Sequence, residues 1–201
     1  MVDLQHIADS INSSAETLSG RLDSIFLDEF SRIFPSIFIW LPLFLLIVLI
    51  ILRNNDSRNS IRIFIALMLA VPASLLSAGY IDPSASSAAI AFCLAIFFIW
   101  LLRYRHLSYL LLIIATIYSF THIYNGVADL TGCLIGILIG TASATVIYLS
   151  MRMISRKDYK FYWNESNTNY TRTGYLISDI DWIFCIIYTL LIFTVFYSIV
   201  A

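Results

Sequence analysis

Charge is what this chain has least of. Asp, Glu, Lys and Arg make up 12% of its 201 residues, about half the share usual in soluble domains. Glycine (7), proline (4), histidine (3) and cysteine (3) are also few. With so little charge against 60% hydrophobic residues, and a mean hydropathy of +0.84, a water-facing shell around a soluble core is excluded. The chain reads as an integral membrane protein. Cys93, Cys133 and Cys185 each stand alone in an apolar run, the pattern of small buried hydrophobes, so no disulfide, metal site or cofactor is expected. The first thirty residues are acidic and polar and lack a basic start followed by an apolar core, so no secretory signal is read and the first span is expected to serve as its own insertion signal.

What is present is a series of apolar runs. A hydrocarbon core roughly 30 Å thick takes about 20 helical residues. Runs of this order lie at about 33–52, 61–79, 88–102, 107–121, 127–149 and 182–201. Two are short and the fifth carries small and polar residues, so the count is five or six, with six preferred. The expectation is an all-α polytopic bundle over 33–201, preceded by an amphipathic segment over 1–32.

The placement of basic residues carries more than the net charge of −1. Arg53, Arg58 and Arg62 follow span 1, Arg103 and Arg105 follow span 3, and Arg152, Arg156, Lys157, Lys160 and Arg172 follow span 5. Arg21 and Arg32 precede span 1 among six acidic residues, and the connections after spans 2 and 4 hold no Lys or Arg. The positive-inside rule makes the first set cytoplasmic and the bare connections outer.

Before span 1, Leu4, Ile7 and Ile11, then Leu18, Leu22, Ile25, Phe26, Phe30, Ile33 and Phe34, recur at helical steps. Such a helix would lie in the membrane interface, or hold a partner. Pro42 and Pro72 fall inside spans, where each removes a helix hydrogen bond, whereas Pro83 is placed to start a helix. Gly132, Gly136 and Gly140 share one helix face and allow close approach of another helix, within the bundle or in a homodimer. Residues 151–181 are polar, and Tyr159, Phe161, Tyr162, Trp163, Tyr170 and Tyr175 alternate there with basic residues in a way that suits the headgroup layer. A short membrane-tethered loop of this kind is not read as a nucleic-acid site. Asn164 and Asn169 begin N-x-S/T triplets, but on the cytoplasmic side.

The stretch Thr121-His122-Ile123-Tyr124-Asn125-Gly126-Val127-Ala128-Asp129-Leu130-Thr131-Gly132 resembles the third signature of the type-2 phosphatidic acid phosphatase (PAP2) superfamily. That signature reads Ser-Arg, five residues, His, three residues, Asp, often around Tyr-x-Gly-Val. The spacing fits without a gap, but the signature's Arg falls on His122, its nucleophilic His on Ala128 and its orienting Asp on Gly132. The second signature, Pro-Ser-Gly-His, is similar to Pro83-Ser84-Ala85-Ser86 or, one alignment over, to Ala85-Ser86-Ser87-Ala88. Neither places a histidine at the acid position, and the first signature has no counterpart. The resemblance covers about residues 37–149. It implies a PAP2-like bundle in a bacterial inner membrane with its degenerate site, Ser84, Ser86, Ser87, His122, Ala128 and Gly132, facing the periplasm.

A phosphate dianion near lipid needs cations, a metal or helix N-termini to neutralise it. The bare outer connections offer instead Asp82 and Asp129. The expectation is therefore a non-catalytic pseudoenzyme that binds membrane lipid in the groove of the old site, or joins a membrane-protein partner or homodimer. The alternative is an active lipid-phosphate phosphatase with rearranged residues. A transporter is weakly supported, since the spans hold few ionisable groups and no repeat. Ligand-binding candidates are His122, Asp129 and Tyr124. His122 is expected as a hydrogen-bonded structural residue or a base, Asp129 as a first-turn anion or a functional carboxylate, and a His122–Asp129 ion pair is the middle case.

Overall fold

Backbone polar groups in lipid find partners only within the chain, and apolar runs of this length therefore fold as helices. The computed structural model of the protein describes residues 25–54, 57–155 and 175–200. Its α-helices are α1 (Ile25–Ile33), α2 (Ile37–Asn54), α3 (Ser57–Ile81), α4 (Ser86–Leu102), α5 (Arg105–Tyr124), α6 (Leu130–Ser155) and α7 (Ile177–Val200). A 3-10 turn, Pro83–Ala85, leads into α4 with Pro83 at its start. Among the described residues, five stretches are long and apolar enough to cross a membrane: Arg58–Ile81, Pro83–Leu102, Arg105–Tyr124, Leu130–Met153 and Ile177–Val200. Helices α1 and α2, bent by 42°, make a sixth if they are one span.

Helix α4 is the axis of the bundle. Its apolar window is 56% buried against 28% or less for the other four, because α3, α5 and α6 all pack on it. A helix that is apolar all round belongs in such a position. Phe97, Phe98, Leu101 and Leu102 meet Ile51, Ile63, Leu107, Ile180, Ile183 and Ile187 in the main core. Tyr148 of α6 stacks on Trp100, with ring centres 5.8 Å apart, and meets Phe97 edge-on at 6.2 Å.

Helix α6 packs closely on the start of α4 and the turn before it. A methyl group at Gly136 would run into the Ala85 carbonyl and come within 2.9 Å of the Ala88 Cβ and 3.0 Å of the Ala89 nitrogen. At Gly140 it would meet the Ala89 carbonyl. The glycine face is thus occupied within this chain.

Helix α1 differs from a helix lying free in the interface. Phe26, Phe30 and Phe34 stack in a row, with centres 6.0 and 5.1 Å apart. Fully buried Phe34 then meets Trp40 of α2 edge-on at 5.2 Å, and the Trp40 indole N–H donates to the Phe34 carbonyl at 2.8 Å. This elbow seats α1 against α5 and α7. Pro42 and Pro72 both lie inside continuous helices.

Two expectations are corrected. Tyr175 is 2% exposed and belongs to the core rather than to the headgroup layer, because the chain turns inward there to begin α7. Cys185 is exposed on α7, unlike the buried Cys93 and Cys133, because apolar side chains on the outward face of a span need no protein cover. The amphipathic stretch before residue 25, Tyr159, Phe161, Tyr162, Trp163 and Tyr170, and the triplets at Asn164 and Asn169 lie outside the described residues.

Candidate functional site

The degenerate signature occupies the end of α5, the turn 125–129 and the start of α6. Helix α5 stops where Gly126 takes φ +66°, a left-handed conformation easy only for glycine, with open space around its Cα. The His122 carbonyl closes the turn, accepting from the Val127 and Ala128 N–H groups at 3.0 and 3.2 Å. Asp129 then precedes α6, its carbonyl accepting from Cys133 N–H at 2.9 Å and its side chain exposed. It therefore stands one residue ahead of the first turn expected for it, and that first turn holds no acidic residue.

The facing strand of chain is the turn after α3. Asp82 Oδ1 accepts from Ser84 N–H at 2.8 Å and so caps the 3-10 turn. Ser84 is thereby held against α6, where a methyl group on Gly132 would collide with the Ser84 hydroxyl and lie 3.0 Å from Asp82 Oδ2. Ala128 is 5% exposed and packs with Ala88 and Cys133, while Ile123 covers them. The positions that the resemblance would give to a nucleophile and its orienting carboxylate are therefore a buried methyl group and a helix contact.

His122 departs from expectation. Both of its ring nitrogens are buried without a hydrogen-bond partner among the described residues, so neither the hydrogen-bonded structural role nor the ion pair with Asp129 is formed. Its ring instead leans on Tyr118, with centres 4.8 Å apart and planes at 52°. Ser84 and Ser87 hydroxyls are likewise buried and unpartnered, whereas Asp82 and Asp129 are the nearby carboxylates. A buried polar atom left unpaired costs about 1–3 kcal/mol. Hydroxyls and an imidazole can share hydrogen bonds with a neutral solute, but a doubly charged phosphate finds no Lys or Arg in either connecting turn.

Tyr124 and Asn125 both bond to α1. The Asn125 amide donates to the Ser31 carbonyl at 2.9 Å and its oxygen accepts from the Ser31 hydroxyl at 2.7 Å. The Tyr124 hydroxyl donates to Asp28 Oδ1 at 2.6 Å. Together they fasten α1 to the signature turn, a contact across more than ninety residues that periodicity alone could not reveal.

The other end of the bundle holds a polar node absent from the sequence reading. Asp179, in the first turn of α7 and 3% exposed, accepts from the Asn54 amide at 2.6 Å and from Arg53 Nη1 at 3.3 Å. The available signal was an acid at the head of an apolar run. Two cavities line α7, and neither reaches His122 or Asp129. One, of about 370 Å³, is lined by Leu46, Leu49, Ile50, Arg53, Asp179 and Trp182. The other, of about 290 Å³, is lined by Arg32, Ile33, Ser36, Ile39, Phe193 and Tyr197. At the degenerate signature Ser84 and Gly132 meet instead. Compared with protein-family models, with curated proteins and with solved structures, the chain has no match.

Proposed function

We propose that this protein is a non-catalytic, lipid-binding membrane protein of PAP2-like architecture, set in a bacterial inner membrane with Asp82 and Asp129 on the periplasmic side. The observation that carries the reading is the contact of Ser84 with Gly132 beside buried Ala128, since it fills the space that an attacking histidine and its carboxylate would need. Acyl transfer or phosphoryl transfer through a histidine needs that residue within hydrogen-bond reach of a group that orients it. Lipid is the expected ligand because α3, α6 and α7 turn long apolar faces outward and the larger cavity is almost wholly apolar.

The second reading, a lipid-phosphate phosphatase with rearranged residues, has one observation in its favour: the two unpartnered nitrogens of His122. Purified protein incubated with phosphatidic acid or undecaprenyl diphosphate separates the two. Phosphate release at background supports the first. Turnover lost in His122→Ala establishes the second. Mass spectrometry of the same preparation reads the ligand: retained phospholipid supports lipid binding, and a stoichiometric second protein supports a complex-forming role instead.

A further inference from the structure

The groove between α2 and α7 combines three features that a phospholipid requires. Its wall is formed by Leu46, Leu49 and Ile50 of α2, which can take one acyl chain. Trp182 of α7 stands at its edge, 63% exposed, as an indole does at the boundary between hydrocarbon and headgroups. Arg53 closes its polar end with a side chain 68% exposed. The buried Asp179 carboxylate holds one guanidinium nitrogen from behind, and Asn54 meets its other oxygen, so Asp179 is satisfied from the protein side. A guanidinium has five N–H donors, and those not aimed at Asp179 are free to point outward at a phosphodiester.

Within the lining the charges balance, Arg53 against Asp179, and Arg53 is the one of the two that is exposed. Arg58 and Arg103 are exposed at the same end of the bundle, and Asp181, the carboxylate next to Trp182 among the described residues, is exposed and does not line the groove. Basic clefts between spans at a cytoplasmic surface attract acidic headgroups. We infer that the α2–α7 groove binds one anionic glycerophospholipid, with a chain along Leu46, Leu49 and Ile50 and its phosphate on Arg53. This rests on the lipid-binding reading above and gives it a place, at the end of the bundle opposite the degenerate signature.

The test titrates delipidated full-length protein in detergent with phosphatidylglycerol or phosphatidylcholine and counts bound lipid by native mass spectrometry. One phosphatidylglycerol is expected to be held in preference to phosphatidylcholine. Arg53→Ala lowers its retention about tenfold, the loss of one charge-assisted hydrogen bond. Leu49→Trp, which fills the groove from a 62% exposed position and leaves Arg53 and Asp179 in place, lowers it as far and decides the matter if Arg53→Ala fails to fold. Arg105→Ala, away from the groove, leaves it unchanged. Equal retention of the two lipids, or phosphatidylglycerol retention unaffected by Leu49→Trp, overturns the site while leaving lipid binding elsewhere intact. If the unaltered protein holds no phospholipid of either kind, both the site and the lipid-binding reading fall.

Discussion

The seam between α4 and α6 and the seam between α2 and α7 are built from opposite materials. In the first, Gly136 and Gly140 bring backbone onto backbone at Ala85 and Ala89, Gly132 meets the Ser84 side chain, and no room is left for a methyl group. In the second, a groove remains, lined by Leu46, Leu49 and Ile50, with a paired Arg53 and Asp179 at its mouth. The difference teaches where a ligand can go. The signature that drew attention in the sequence lies in the closed seam, and the space lies in the open one.

Closing the first seam further should have the largest effect. Gly136→Ala forces its methyl group against a carbonyl that cannot rotate away, at a cost of about 1–3 kcal/mol. Thermal melting in detergent should register the loss, and a wild-type melt would mean that the seam is looser than described. Opening the second seam's polar node comes next: Asp179→Ala takes away the Asn54 amide's shorter bond, leaves it the Ile50 carbonyl at 3.2 Å and costs about 1 kcal/mol, while Asp179→Asn keeps a partner and costs less. The exposed Arg53 adds little to that difference through screening.

Asn125→Ala tests whether the signature turn serves to seat α1. It removes two hydrogen bonds to Ser31 and should cost about 1 kcal/mol, while raising the reactivity of a cysteine placed at Phe34. An unchanged rate would detach α1 from the account. The smallest change is a gain. Arg103 ends α4 at φ 47°, a left-handed conformation that costs a non-glycine residue about 1 kcal/mol, so Arg103→Gly should melt slightly higher.

Much of the fold was legible in the sequence. The run expected at 107–121 is α5 at Arg105–Tyr124, and that at 182–201 is α7 at Ile177–Val200, because length and apolarity alone decide what crosses a bilayer. The helices overrun the runs where polar residues such as Arg58 and Arg152 continue the same hydrogen-bond ladder. The glycine spacing correctly pointed to close approach, but nothing local in Gly136 names Ala85 as its partner. The site was less legible for the same reason. His122 is isolated by what packs around it, Asn125 is spent on Ser31, and Asp179 is matched with residues of α2; each is a contact between distant parts of the chain.

The contrast between the seams is tested most directly by an experimental map of the protein in lipid nanodiscs. The account predicts Ser84 in contact with Gly132, no elongated density between the N-terminal ends of α4 and α6, and one chain-like density along Leu46 and Leu49 leading to Arg53. Lipid-like density lying between Ser84, His122 and Gly132, with the α2–α7 groove bare, would contradict it.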